Sequence, residues 1–150
     1  MSQQRRTVTL DELMAQLDAI KAEISNLRDL LTQLSAQRDS VTRAKDSLDA
    51  IARSSDNSPV LFPLSGGFEA LMEAVPLNKG KVIIHLGADI YAKVDVSEGL
   101  KILGEEEGEL NKAIGEVSQR LAQLESLESQ YESVIQQALN AARQRAQTKG

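Results

Sequence analysis

From Leu10 to Leu48 the apolar residues recur at steps of three and four, through Leu13, Leu17, Ile20, Ile24, Leu27, Leu31, Leu34 and Val41. With Leu10 set at position a of a heptad, ten of the twelve a and d positions are apolar, and only Arg38 and Lys45 interrupt the stripe. The pattern returns from Leu100 to Ala138, through Leu103, Leu110, Ile114, Val117, Leu121, Leu124, Tyr131 and Ile135, with Glu107 and Glu128 as the exceptions. A seven-residue repeat kept for more than five heptads predicts two left-handed coiled-coil helices. Neither stripe can be buried alone, so the simplest partner for each helix is the other, folded back antiparallel. That register sets Lys45 and Glu107 at similar heights, and Glu128 near Lys21 and Arg28. These charges either pair within the seam or reach out to water along their aliphatic stems.

The periodicity changes between the helices. Arg53–Asn57 ("RSSDN") breaks the first helix and Pro59 prevents its resumption. Val60, Phe62 and Leu64 then alternate with period two on one face of a short strand, and Gly66-Gly67 signals a hairpin turn. Residues 68–75 ("FEALMEAV"), starting at Phe68, are read as the returning strand. "PLNKG" turns the chain into the β-branched run "KVIIHL", which carries Val82 and Ile84. Gly87-Ala88-Asp89 turns it again into "IYAKVDV", in which Ile90, Ala92, Val94 and Val96 share a face. Ser97 and Glu98 supply a capping residue and an early acid for the second helix. The fold class expected is α+β: one subunit with helix 1 over 8–53, two hairpins over 59–96 and helix 2 over 97–146. Gly99, Gly104, Gly108 and Gly115 in the second helix mark either close approaches or a soft neck.

Two short hairpins are marginal alone, and apolar residues on both alternating sets exceed what one helix pair covers. Joining edges with other copies or related chains into a closed barrel solves this. Pro63 then marks a position needing no ladder donor. The assembly residues expected are Val60, Phe62, Leu64, Phe68, Val82, Ile84, Ile90 and Val94, and Val94→Lys is expected to dissociate the complex while helicity survives.

Composition narrows the function. With no cysteine among its 150 residues, the chain has no disulfide, thiolate metal site or thiol nucleophile. Its net charge of −5 argues against non-specific nucleic-acid binding. The polar N-terminus lacks the apolar core of a secretory signal, and no run is apolar enough for a membrane span, so a cytoplasmic protein is expected. His85, the one histidine, is read as structural. Asp89 and Asp95 lack a second ligand cluster, and no phosphate-binding glycine loop occurs. Neither enzymatic activity nor a cofactor or metal is expected.

The order helix, "LFPLSGGFEALMEAV", "KVIIHLGADIYAKVD", then "VSEGLKIL" entering a second helix resembles the alpha class of the prefoldin family, in its archaeal form. The likeness runs over nearly the whole chain and is most specific over 60–103. It implies a hexamer of two alpha-class and four beta-class subunits with coiled-coil tentacles. These hold non-native proteins without ATP and pass them to a group II chaperonin.

The residues lend that implication their own support. At the free ends the repeat loosens, leaving Val8, Leu10, Leu13, Met14 and Leu17 opposite Ile135, Ala138, Leu139 and Ala142. A frayed end of this kind would offer apolar surface to clients that expose their own. Arg5, Arg6, Arg143 and Arg145 either attract acidic partners or solvate the ends. The competing reading is a coiled-coil tether that oligomerises through its hairpins.

Overall fold

The computed structural model describes residues 8–149, in the order α1 (Leu10–Arg53), β1 (Val60–Pro63), β2 (Leu71–Ala74), β3 (Lys81–Gly87), β4 (Ile90–Asp95) and α2 (Val96–Thr148). Two compact units divide it: one takes the outer parts of both helices, up to Ser35 and from Lys112, and the other takes Ala36–Asn111.

In the first unit, α1 starts at a reciprocal cap. The Thr9 hydroxyl accepts from the Glu12 backbone N–H at 3.2 Å, and the Glu12 carboxylate accepts from the Thr9 N–H at 3.4 Å. The core is the cluster Ile20, Ile24 and Leu124, flanked by Leu27, Leu121 and Tyr131. Lys21–Glu132 at 3.3 Å, Arg28–Glu125 at 2.8 Å and Arg120–Glu23 at 3.0 Å cross between the helices and establish the antiparallel register. Lys21 and Arg28 thus meet acids on either side of Glu128, which takes no ion pair among those of the described residues. These exposed pairs set register more than stability.

All twelve a and d positions of α1 are at least half-buried. In α2 the exception is Ala138, which is exposed, while Leu139 is half-buried. The seam therefore steps by four from Ile135 rather than by three. That is the drift of a 3.6-residue helix against a 3.5-residue repeat.

The second unit holds the inner helix segments and both hairpins. Val41, Ile84, Leu103 and Leu110 are its buried apolar side chains. The seam charges are paired here. Lys45 Nζ lies 2.7 Å from Glu107, whose carboxylate also accepts from the Thr42 hydroxyl at 2.5 Å. The Lys45 hydrogen bond, then that from Thr42, holds the Glu107 carboxyl below the usual carboxylate range. The same bond holds the Lys45 ammonium above its ordinary value. A carboxyl lowered in the folded state stabilises above its unfolded pKa of about 4.3, and loses that contribution as pH falls through the folded value. The raised lysine stabilises below its unfolded pKa of about 10.4 and loses its share at higher pH. Glu107→Gln should therefore flatten the acid limb of the unfolding midpoint below about pH 4, read by circular dichroism.

β1 pairs antiparallel with β2 (Val60↔Ala74 to Pro63↔Leu71) and β3 with β4 (Lys81↔Asp95 to Gly87↔Ile90), as two separate two-stranded sheets. Phe68, read as the start of a strand, lies instead in the β1–β2 connection at φ 62°, its N–H bonded to the Ser65 carbonyl at 3.3 Å. The Glu69 carboxylate folds back over Gly67 to accept from the Ser65 hydroxyl, occupying the space a Cβ would need. That turn chemistry delays the strand to Leu71.

Gly99 sets how α2 meets the hairpins. A Cβ there would stand 2.5 Å from Val82 Cγ1 and 3.5 Å from both Ile84 Cδ1 and Leu48 Cδ2. At Gly104, Gly108 and Gly115 it would meet nothing within 4 Å, so close approach accounts for Gly99 alone. Gly99→Ala should destabilise the chain by about 1–3 kcal/mol through overpacking. Gly108→Ala should stabilise it by up to about 1 kcal/mol through helix propensity. Opposite shifts in thermal midpoint check both. α2 itself begins one residue before Ser97, with the Val96 N–H donating to the Gly80 carbonyl at 3.1 Å.

Candidate interaction surfaces

Period two divides β3 and β4 into two faces, and burial shows which one the chain covers itself. Ile84 is buried and its neighbours Val82, Ala92 and Val94 are half-buried, on the side that meets Gly99. The opposite face leaves Ile83 at 66% and Tyr91 at 63% exposure, and Ile90 and Leu86 are exposed near the turn. Among the expected assembly residues, then, Val82, Ile84 and Val94 lie towards the chain's own helices and Ile90 lies outside. Ile83, Leu86 and Tyr91 escaped the sequence reading, because alternation sorts residues into two sets without saying which set faces inward.

The first hairpin exposes apolar side chains on both faces. Phe62 and its cross-strand partner Met72 are exposed on one, Leu61 and Leu71 on the other, and Leu64 and Phe68 beside the turn; Val60 is half-buried. Such a concentration of apolar side chains is uncommon on a monomer.

His85 pairs with Tyr91 in the β3–β4 ladder and reaches over the second hairpin's turn. Its Nε2–H donates to the Ala88 carbonyl at 2.6 Å, and its ring tilts against Tyr91 with centroids 4.9 Å apart. Gly87 at φ 122° and Ala88 at φ 46° form that turn. Asp95 pairs with Lys81 at 2.5 Å across the strands. No group of three or more His, Cys, Asp or Glu side chains among the described residues is placed to hold a metal. Nor is any described helix long and apolar enough to cross a membrane.

In the first unit the second surface lies where α1 begins and α2 ends. Val8 and Met14 are already exposed, at 46% and 48%. Leu10, Leu13, Leu17 and Leu139 are half-buried, Ile135 is buried, and Ala138 and Ala142 are exposed but small. A shallow depression beside Val8 is lined by Glu12, Ala15 and Gln16. Val134 adds a further exposed apolar side chain at 49% that a reading of a and d positions alone passes over. Arg143 and Arg145 are exposed, whereas Arg5 and Arg6 lie outside the described residues.

Comparison with known proteins agrees with this architecture. Residues 20–141 match the family model described as prefoldin subunit. The chain is 34% identical over 140 residues to the prefoldin subunit alpha of Aeropyrum pernix, covering 93% of this chain and 90% of that one. It is 31% identical over 147 residues to that of Saccharolobus solfataricus, covering 98% and 99%. A cryo-EM structure of filamentous PFD from Methanocaldococcus jannaschii superposes with a TM-score of 0.62 at 23% identity, over 80% of this chain and 95% of that one, and so shares the fold. Two long helices joined through two β-hairpins, with a family match over most of the sequence, make this chain a member of the prefoldin family of chaperone subunits.

Proposed function

We propose that this chain is an ATP-independent holding subunit of the alpha class. Its hairpins join related subunits, and the end of the helix pair carrying the chain termini captures non-native proteins. The observation that carries the reading is the distribution of exposed apolar side chains. They crowd the hairpins, where Ile83, Tyr91, Leu61 and Phe62 stand free, and recur at Val8 and Met14 where the seam loosens. The first group suits permanent contact between subunits. The second is sparse and mixed with polar side chains, which suits weak, sequence-blind contact.

Burying a few hundred Å² of client surface yields several kcal/mol at about 25 cal/mol per Å², before the cost of ordering. Several such ends on one assembly raise the effective affinity by avidity. On this reading the complex holds two alpha-class and four beta-class subunits, works in the cytoplasm and delivers its clients to a group II chaperonin. The test is aggregation of a denatured protein, followed by light scattering without ATP. The chain should suppress it when assembled with a beta-class partner or with itself. A tether that assembles equally well and suppresses nothing would replace this reading.

A further inference from the structure

We propose that Lys79 is a positioning residue: it ties the connection between the two hairpins to the end of α1 and so aims both hairpins for assembly. The last carbonyls of a helix have no partner within it and carry its partial negative charge. Lys79, from the β2–β3 connection, places its ammonium on the carbonyls of the two residues that follow Arg53, the second of which also accepts the Ser58 N–H at 3.2 Å. It donates to the Ser54 carbonyl and, at 3.0 Å, to the Ser55 carbonyl.

The residues beside it are tied as well. Asn78 Oδ1 accepts from the Gly80 N–H at 2.9 Å, which closes the turn. The Gly80 carbonyl in turn accepts the Val96 N–H that opens α2. Three consecutive residues therefore join the end of one helix to the start of the other, at the point from which both hairpins leave.

The surroundings make the lysine matter more than a surface ion pair. Below it lies a cavity of about 400 Å³, lined chiefly by Leu48, Ile51, Val60, Phe62, Val75 and Val82. Apolar contact around an open cavity is non-directional and fixes no single angle between hairpin and helix. Hydrogen bonds from a cation to two carbonyls are directional, and they are stronger than neutral ones. The lysine thus supplies the orientation that the incompletely filled contact beneath it leaves open.

The proposal rests on assembly through the hairpins, and the test separates the two claims. The full chain is studied in whichever assembly it forms, alone or with a beta-class prefoldin subunit, by mass photometry across a dilution series. Lys79→Gln keeps the length of the side chain but not its charge, and should move the assembly midpoint about tenfold towards higher concentration. Helicity and thermal midpoint should hold. Amide exchange at Gly80 and Val96 should quicken, while the interior of the β3–β4 ladder stays protected. Lys79→Arg should restore assembly to within about twofold of the parent.

Ile83→Glu, on the exposed face of the second hairpin, serves as the control. If it disrupts assembly and Lys79→Gln does not, the positioning role is wrong and assembly through the hairpins stands. If Lys79→Gln lowers thermal midpoint and assembly together and arginine restores neither, the lysine is merely structural and the proposal fails. If Ile83→Glu leaves assembly untouched, the hairpin reading fails and takes this role with it.

Discussion

Removing residues 1–14 and 139–150 should cut aggregation suppression by about tenfold or more while leaving the mass of the assembly unchanged. The deletion takes away Val8 and Met14, the two exposed apolar side chains at the start of α1, together with Leu139 and Ala142 opposite. It spares the cluster of Ile20, Ile24 and Leu124 and the crossing pairs Lys21–Glu132 and Arg28–Glu125, so the remaining helix pair keeps its core and register. It also spares every residue of the hairpins. On the proposed reading, holding would draw on several weak contacts at once, so trimming each end would multiply the loss. Light scattering during client dilution measures the first quantity and mass photometry the second. Undiminished holding by the shortened chain would place capture elsewhere, and Leu127 and Val134, both exposed further along α2, would be the next surface to alter.

What the sequence made legible follows from the length scale of each signal. The helices are long, and their stripe repeats many times, so local irregularities at Arg38, Lys45, Glu107 and Glu128 could not hide it. An antiparallel hairpin sets Lys45 and Glu107 at similar heights, but periodicity alone left open whether they pair, as they do, or reach out to water. The partner of Glu128 was harder to place, since the exposed Lys21 and Arg28 at e positions have other acids within reach, Glu132 and Glu125, and cost little to re-pair. The cap formed by Thr9 and Glu12 is present in the letters "TLDE" and could have fixed the start of α1 at Leu10.

The hairpins were legible as strands and turns, but the inward face was not. That face depends on Gly99, a helix residue seventeen and fifteen positions along the chain from Val82 and Ile84, the strand residues it meets. No alternation within β3 contains that information. The same limit applies to Phe68, whose place in the turn depends on Glu69 closing over Gly67 rather than on its own β propensity.

That distinction between faces yields the second large effect. Ile83→Glu should dissolve the assembly, raising its dissociation midpoint about a hundredfold or more, with far-UV helicity and thermal midpoint nearly unchanged. Ile83 is 66% exposed in the isolated chain, so a carboxylate there remains hydrated and the fold loses little. Only when another chain covers the face must that charge be stripped of water without a partner, and the whole penalty then falls on association. Val94→Lys should behave differently from a pure assembly defect. Val94 lies opposite Val82 in the ladder and is half-buried on the face that meets the helices. A lysine there disturbs the subunit first, lowering its thermal midpoint, and any loss of assembly follows from that. Comparing the two variants by thermal unfolding and mass photometry decides which face of the second hairpin the partner subunits use. A stable Ile83→Glu chain that still assembles, beside a stable Val94→Lys chain that does not, would reverse the assignment.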